Sequence, residues 1–359
     1  MHRSRLSVIL ALTVAACGGS PALTTEASGE SDPTPKNAEA HNTAPYVVLV
    51  SFDAFRWDYQ DQYATPNFDR VAAAGVRAER MTPVFPTKTF SSHYAIATGM
   101  YAEKHGLVGN TFWAQDKQAW YTIGNRAAVE DGGFYRGEPI WVTAEQQGMI
   151  AASLFFVGSE APVGGVRPTY WNRFNASISN DTRVDQVLTW LGMPLENRPH
   201  MITLYFADVD DAGHDFGPGS AEVVDAVAAV DANLGRLLDG IAALPHANDV
   251  FLVLVSDHGM MSQPADGADV LDMELFPGVR LGQAGPSASL YVDEGGAERA
   301  ARRPRLDCRD DAQERGLSAG RCAGAAALQR GSSGGRHRHR GRRREVGRHS
   351  RPRARPRWF

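Results

Sequence analysis

Four short apolar runs separated by helix-patterned stretches narrow the fold more than any other feature of the chain. The first, YVVLVSF at Tyr46–Phe52, suits a strand buried on both faces, and further strands read at Ile150–Val157, Met201–Phe206 and Val250–Val255. Between them, Thr65-Pro66-Asn67 opens a helix running through Phe68, Val71 and Ala72 to Gly75. A second helix carries Val223, Val227, Val230, Leu234, Leu237 and Ile241 on one stripe. This alternation predicts an α/β fold, a mostly parallel sheet flanked by helices on both faces. Ligands of such sheets bind at the carboxyl ends of the strands. Three of those ends carry acids or histidines: Asp53 after the first run, Asp208, Asp210 and His214 after the third, and Asp257-His258 after the fourth.

A lone Asp at a strand end is ordinarily a helix cap or a turn residue. The coincidence of three such ends changes the reading, because carboxylates and imidazoles together are the ligands of a zinc-type site. Two such clusters suit a pair of divalent ions about 4 Å apart, as in phosphoryl-transfer enzymes. Thr89, seated in FPTKTFSSHY ahead of a helix-like run, is a poor nucleophile in water, and a cation beside it would activate its hydroxyl.

The segments PTKTF, HGLVGN, DVDDAGHDFGP and VSDHGM, in this order, resemble the ectonucleotide pyrophosphatase/phosphodiesterase family of the alkaline phosphatase superfamily. GEPIWVTAEQQG at Gly137–Gly148 and FFVGSEAPVGGVRPTYW at Phe155–Trp171 add to the match, which covers about Tyr46 to Val292. The resemblance implies an alkaline-phosphatase-like fold and two divalent metal ions, taken as zinc. Asp53, Thr89, Asp257 and His258 would ligate one ion, with Thr89 as nucleophile, and Asp210 and His214 would ligate the other. Asn110 would donate a hydrogen bond to a non-bridging phosphate oxygen, and Phe90, Tyr205 and Tyr170 would wall a nucleobase slot. His93 and His105 read as packing or hydrogen-bonding residues, Lys88 as either a phosphate contact or a solvated cation, and Asp208 and Asp211 as flanking the ligands.

The implied reaction is metal-dependent hydrolysis of nucleotide phosphodiester or pyrophosphate bonds through a phosphothreonine intermediate. Two alternatives stand beside it. One is a phosphomonoesterase or phospholipid-headgroup phosphodiesterase of the same superfamily, and the other is an inactive zinc-binding remnant. Three departures from the family pattern matter. Ser91-Ser92 stand where Pro-Asn is usual, Val209 replaces a proline, and the sequence as written lacks the downstream Gly-x-His-Gly-x-Asp histidine that completes the second zinc site.

The ends of the chain read differently from its middle. Residues 1–17 have a basic start, an apolar stretch from Leu6 to Ala16 and then VAAC, which resembles a bacterial lipobox. A lipid on Cys17 and an envelope location follow as expectations, against an ordinary cleaved signal with a chance cysteine. Residues 18–44, rich in Ser, Thr, Pro and Gly, read as a disordered tether, and 45–300 as the catalytic domain.

The formal charge of −4 conceals a switch: residues 301–359 carry 18 arginines against 5 acids and no lysine. This tail suits a nucleic-acid-binding arm, a disordered solvated tail or a shifted reading frame. Back-translation favours the third. One base later, Arg336–Gly347 permits Gly-Ile-Asp-Ile-Val-Val-Val-Ala-Glu-Lys-Trp, and Arg351–Trp358 permits Gly-His-Glu-His-Gly-His-Asp-Gly. The catalytic domain then reads as incomplete, with no nucleic acid and no protein partner expected. Cys308 and Cys322 fall in this tail and imply no disulfide.

Overall fold

The computed structural model describes residues 35–262, 278–283, 285 and 287–292, together with the backbone of 26–27. The expected signal segment, Cys17 and the tail 301–359 lie outside the described residues. In chain order the strands are β1 (Glu26–Ala27), β2 (Tyr46–Phe52), β3 (Thr111–Ala114), β4 (Ala119–Thr122), β5 (Ala151–Leu154), β6 (Tyr170–Asn172), β7 (Met201–Phe206), β8 (Val250–Val255), β9 (Val279–Leu281) and β10 (Leu290–Val292). The central sheet runs β1-β6-β5-β7-β2-β8, and β3-β4 and β9-β10 form two small ribbons. The central sheet is parallel except where β1 meets β6, as the alternation of strand and helix patterns requires.

Its two faces bury separate layers. On one, Val48, Val50, Phe52, Ile202, Leu204 and Phe206 meet the helices Asn180–Leu191 and Ala221–Ala242 through Val184, Val187, Trp190, Val227, Val230 and Leu234. On the other, Leu49, Ala151 and Met201 meet the helices Thr89–Thr98 and Ile140–Gln146 through Tyr94, Ala97, Trp141 and Val142. The expected stripe of the long helix is the buried one, with Val223, Val227, Val230, Leu234 and Leu237 all buried.

Two sequence expectations are corrected. The strand read over Ile150–Val157 ends at Leu154, because Phe155 takes φ 69°, a left-handed conformation that no strand continues through. The disordered tether read over 18–44 does not hold for 35–44, because Asn37 is buried, donates its side-chain amide to Leu195 O and Arg198 O and accepts the Ile150 N–H at 2.7 Å.

The helix Pro66–Ala74 begins where Thr65-Pro66 predicts, but Thr65 does not cap it. Asp231, buried on the long helix, accepts from the backbone N–H of Asn67 and Phe68, both at 3.0 Å, and from the Asn67 side chain at 2.8 Å. It satisfies from a distance the amides that a helix N-terminus leaves without partners. Truncation in Asp231→Ala is expected to cost about 3 kcal/mol, since it strands charge-assisted hydrogen bonds in the interior. A urea midpoint that falls in alanine and partly recovers in Asp231→Asn checks this.

Register then positions the site. Phe52 is level with Phe206, and Ser51 with Val255, so the three central strands β7, β2 and β8 end together. The residues leaving those ends are Asp53, the helix Asp208–Phe216, and Asp257-His258.

Candidate active site

The three strand ends converge. Asp53, Asp257 and His258 each offer a ligand atom, all within 4.8 Å of one another, and make a possible metal-binding group. Ala54, at φ 55°, turns the chain sharply after Asp53 and donates its N–H to Asp257 Oδ1 at 3.2 Å. His258 Nε2 lies 3.4 Å from Asp53 Oδ1 and 3.2 Å from Asp257 Oδ2. It also lies 3.3 Å from Thr89 Oγ1. Thr89 is the first residue of its helix, where the partial positive charge of free backbone N–H groups favours an anion or a developing alkoxide.

Asp210 and His214 sit one turn apart on the next helix, with Nε2 3.5 Å from Asp210 Oδ1. That helix approaches the Asp257–Met260 segment closely at Gly213, where a Cβ would run into Met260 Sδ. Val209, in place of the family's usual proline, is simply buried. Asp208 turns the other way and accepts from Asn180. Among the described residues, no third ligand joins Asp210 and His214.

The electrostatics suit a cation. Asp53 Oδ1, Asp210 Oδ1 and Asp257 Oδ2 are buried with no hydrogen-bond donor among the described residues. Burial, then the charges of Asp257 and Asp210, hold the Asp53 carboxyl well above the usual carboxylate range. Burial also raises Asp210, against the pull of His214 and His258. Burial pushes Asp257 up as well, but His93 and His258 beside it leave it below the ordinary value. Repelling carboxylates with unused oxygen atoms are what a bound divalent cation would satisfy.

Around this cluster, Asn110 Oδ1 accepts the Phe90 N–H at 3.1 Å, which leaves the Asn110 amide NH2 as a donor next to Thr89. The Asn110 backbone is fixed by Gln283, whose Oε1 accepts its N–H at 2.8 Å. Phe90 is half-buried against Tyr121. Tyr205, expected to wall a base, donates its hydroxyl to Asp53 Oδ2 at 2.7 Å. Tyr170 is not brought to the site: its ring stacks with Trp190 and its hydroxyl reaches Asn197 O, near the amino ends of the strands. As a base-slot wall it is corrected, because its side chain is committed to the core.

Sequence reading missed Phe174, which is 44% exposed with its ring 6.3 Å from that of Tyr205, and Gln283. Phe174 lies three residues beyond the quoted motif that ends at Trp171, so extending that segment finds it. Gln283 belongs to no motif.

The two motif histidines are both buried hydrogen-bonding residues. His105 accepts the Leu107 N–H at Nδ1 and donates from Nε2 to Ser91 O, which fixes its tautomer. The Ser91-Ser92 departure is absorbed inside the helix, both side chains buried. Burial lowers the His105 pKa from 6.5 to about 4. Because the folded value lies below the unfolded one, its contribution to stability is fully present above pH 6.5 and is lost as pH falls towards 4. The urea midpoint is expected to drop across that window, and His105→Gln, which keeps a donor for Ser91, to flatten the slope.

A family model described as type I phosphodiesterase / nucleotide pyrophosphatase matches residues 47–319. Human ectonucleotide pyrophosphatase/phosphodiesterase family member 1 is 37% identical over 218 residues, covering 60% of this chain and 24% of that protein. Venom phosphodiesterase 2 of Crotalus adamanteus is 38% identical over 216 residues, 60% of this chain and 26% of that protein. The chain therefore spans about a quarter of the length of the curated relatives it matches. Among solved structures, an inactive variant of murine ectonucleotide pyrophosphatase/phosphodiesterase 5 in complex with AMP superposes with a TM-score of 0.65 at 29% identity, covering 71% of this chain and 68% of that one.

Proposed function

The chain belongs to the type I phosphodiesterase / nucleotide pyrophosphatase family, of alkaline-phosphatase-like fold, and from that premise we propose that it hydrolyses nucleotide phosphodiester or pyrophosphate bonds with Thr89 as nucleophile. The observation that carries this reading is the Thr89 hydroxyl at a helix N-terminus, 3.3 Å from His258 and beside the Asp53 and Asp257 carboxylates, each of which keeps one buried oxygen without a donor among the described residues. The residues suit a divalent cation: Asp53, Asp257, His258 and Thr89 would hold one, and Asp210 with His214 would contribute to a second. Bound there, such an ion supplies Lewis-acid charge that lowers the hydroxyl pKa and offsets the charge of the phosphate oxygens.

Within that frame each residue has a task. Thr89 Oγ forms the new bond to phosphorus while the bond to the leaving oxygen breaks, and the nucleoside phosphate remains on the threonine. Asn110 donates its amide N–H to the non-bridging oxygen that gains charge. Water then cleaves the threonine ester and restores the hydroxyl. Tyr205 holds Asp53 by one oxygen, which leaves Oδ1 facing the site.

Release of AMP from ATP, and of nitrophenol from a nitrophenyl nucleotide ester but not from nitrophenyl phosphate, tests the reading. The reverse preference would indicate a phosphomonoesterase. Phe90 and Phe174 offer the aromatic faces on which a base would stack. Phe174→Ala is expected to raise KM for the nucleotide ester about tenfold, with little change for a nitrophenyl ester lacking a base.

A second reading rests on the Asp210–His214 pair. His214 is 70% exposed at its side chain, and no third ligand joins it among the described residues. On this reading the chain binds one zinc tightly and turns over weakly or not at all. Zinc content per chain after dialysis separates the two, with two ions supporting the first reading and one the second.

A further inference from the structure

His93 is fully buried in the helix that begins at Thr89, four residues after the nucleophile. Its Nδ1 lies 2.9 Å from the Thr89 carbonyl oxygen and 3.2 Å from Asp257 Oδ2, and its Nε2 lies 2.8 Å from Ser51 Oγ. A carbonyl only accepts, so Nδ1 carries a proton and donates it to Thr89 O, while Asp257 Oδ2 lies 3.2 Å from the same nitrogen. Phe156 and Tyr205 close on the ring at 5.2 and 5.3 Å, both nearly perpendicular to it, and hold its orientation. One imidazole thus joins three segments: β2 through Ser51, the first turn of the helix, and the segment after β8.

Packing alone does not call for this residue. An apolar side chain would fill the space but leave Ser51 Oγ and Asp257 Oδ2 with fewer partners. His258 Nε2 is the other nitrogen near Asp257 Oδ2, at 3.2 Å. Once that nitrogen serves a cation, His93 Nδ1 is the remaining side-chain nitrogen beside this oxygen among the described residues, at 3.2 Å.

We propose that His93 is a positioning residue, which holds Asp257 and the Thr89 turn in one fixed geometry and so sets how tightly a cation is bound beside the nucleophile. This rests on reading the Asp53, Asp257, His258 cluster as a cation site. The proposal concerns a hydrogen-bond direction, and that makes it separable from packing. In place of histidine, asparagine puts an amide N–H near the Nδ1 position, towards Thr89 and Asp257. Glutamine reaches the Nε2 position, towards Ser51.

The experiment measures zinc affinity of the full chain by competition with a chromophoric chelator, without substrate, for wild type, His93→Asn, His93→Gln and His93→Ala. All three variants are expected to melt lower than wild type when zinc is withheld. Zinc affinity is expected to stay close to wild type in the Asn variant and to weaken about 10- to 100-fold in the Gln and Ala variants. At saturating zinc, kcat follows the same order, with KM for a nitrophenyl nucleotide ester unchanged. Equal zinc affinities in the Asn and Gln variants overturn the proposal and leave His93 a packing residue, while wild-type zinc binding keeps the site itself intact. A wild-type chain that takes up no zinc overturns the cation site and this proposal together.

Discussion

Thr89→Ala is expected to lower kcat for a nitrophenyl nucleotide ester by about 10,000-fold or more, while the melting temperature moves by no more than about 2 °C. The two halves of this expectation have separate physical grounds. The hydroxyl sits at the helix N-terminus beside His258, so its removal takes away the oxygen that forms the covalent ester with phosphorus. The side chain is only half-buried, its one side-chain partner among the described residues is His258 at 3.3 Å, and alanine favours a helix more than threonine does. Thr89→Ser returns a hydroxyl to the same place and is expected to keep measurable turnover. An alanine variant that still turns over at the serine variant's rate would put the nucleophile elsewhere.

Removal of divalent cations has the second large effect. With a chelator present, turnover is expected to stop, and the melting temperature to fall by about 5–10 °C relative to the chain with zinc at 100 times its Kd. The buried Asp53 and Asp257 and the half-buried Asp210 then face one another without a counter-charge, and each keeps one oxygen without a donor among the described residues. Added zinc is expected to restore both properties, because a ligand that binds the folded state stabilises it in proportion to its occupancy. Asp257→Asn is expected to abolish the zinc-dependent part of the shift, since it neutralises the carboxylate nearest both His93 and His258. An unchanged melting curve with chelator and with zinc would mean that the cluster holds no ion.

The frame of the site is legible in the sequence because the central strands are short, continuous apolar runs whose ends coincide with ladder ends: β2, β7 and β8 begin and end where the runs do. Asp53, Asp210 and Asp257 stand out for the same reason, as charges within one to four residues of the ends of those runs. The three-residue strand β6 is too short to show any period, and the helix Asn180–Leu191 opens on polar residues that mask its stripe of Val184, Val187 and Leu191. Strand β5 stops early because of one backbone conformation at Phe155, which an apolar run does not reveal.

Within the site, what escapes sequence reading is mostly side-chain pairing across long separations. Tyr205 meets Asp53 across 152 residues and Gln283 meets Asn110 across 173. Neither leaves a local pattern, because each depends on how two strand ends or loops are juxtaposed by the sheet. Tyr170 fails as a base wall for a related reason. Its place in a motif says nothing of which end of its strand faces the site.

The stereochemical course at phosphorus tests the account most directly. A nucleotide ester made chiral at phosphorus by sulfur substitution, hydrolysed in oxygen-18 water, reports how many displacements occur. Attack by Thr89 followed by attack of water inverts the centre twice, so the account predicts net retention of configuration. Net inversion would show that water attacks the substrate directly, and would contradict a covalent intermediate on Thr89.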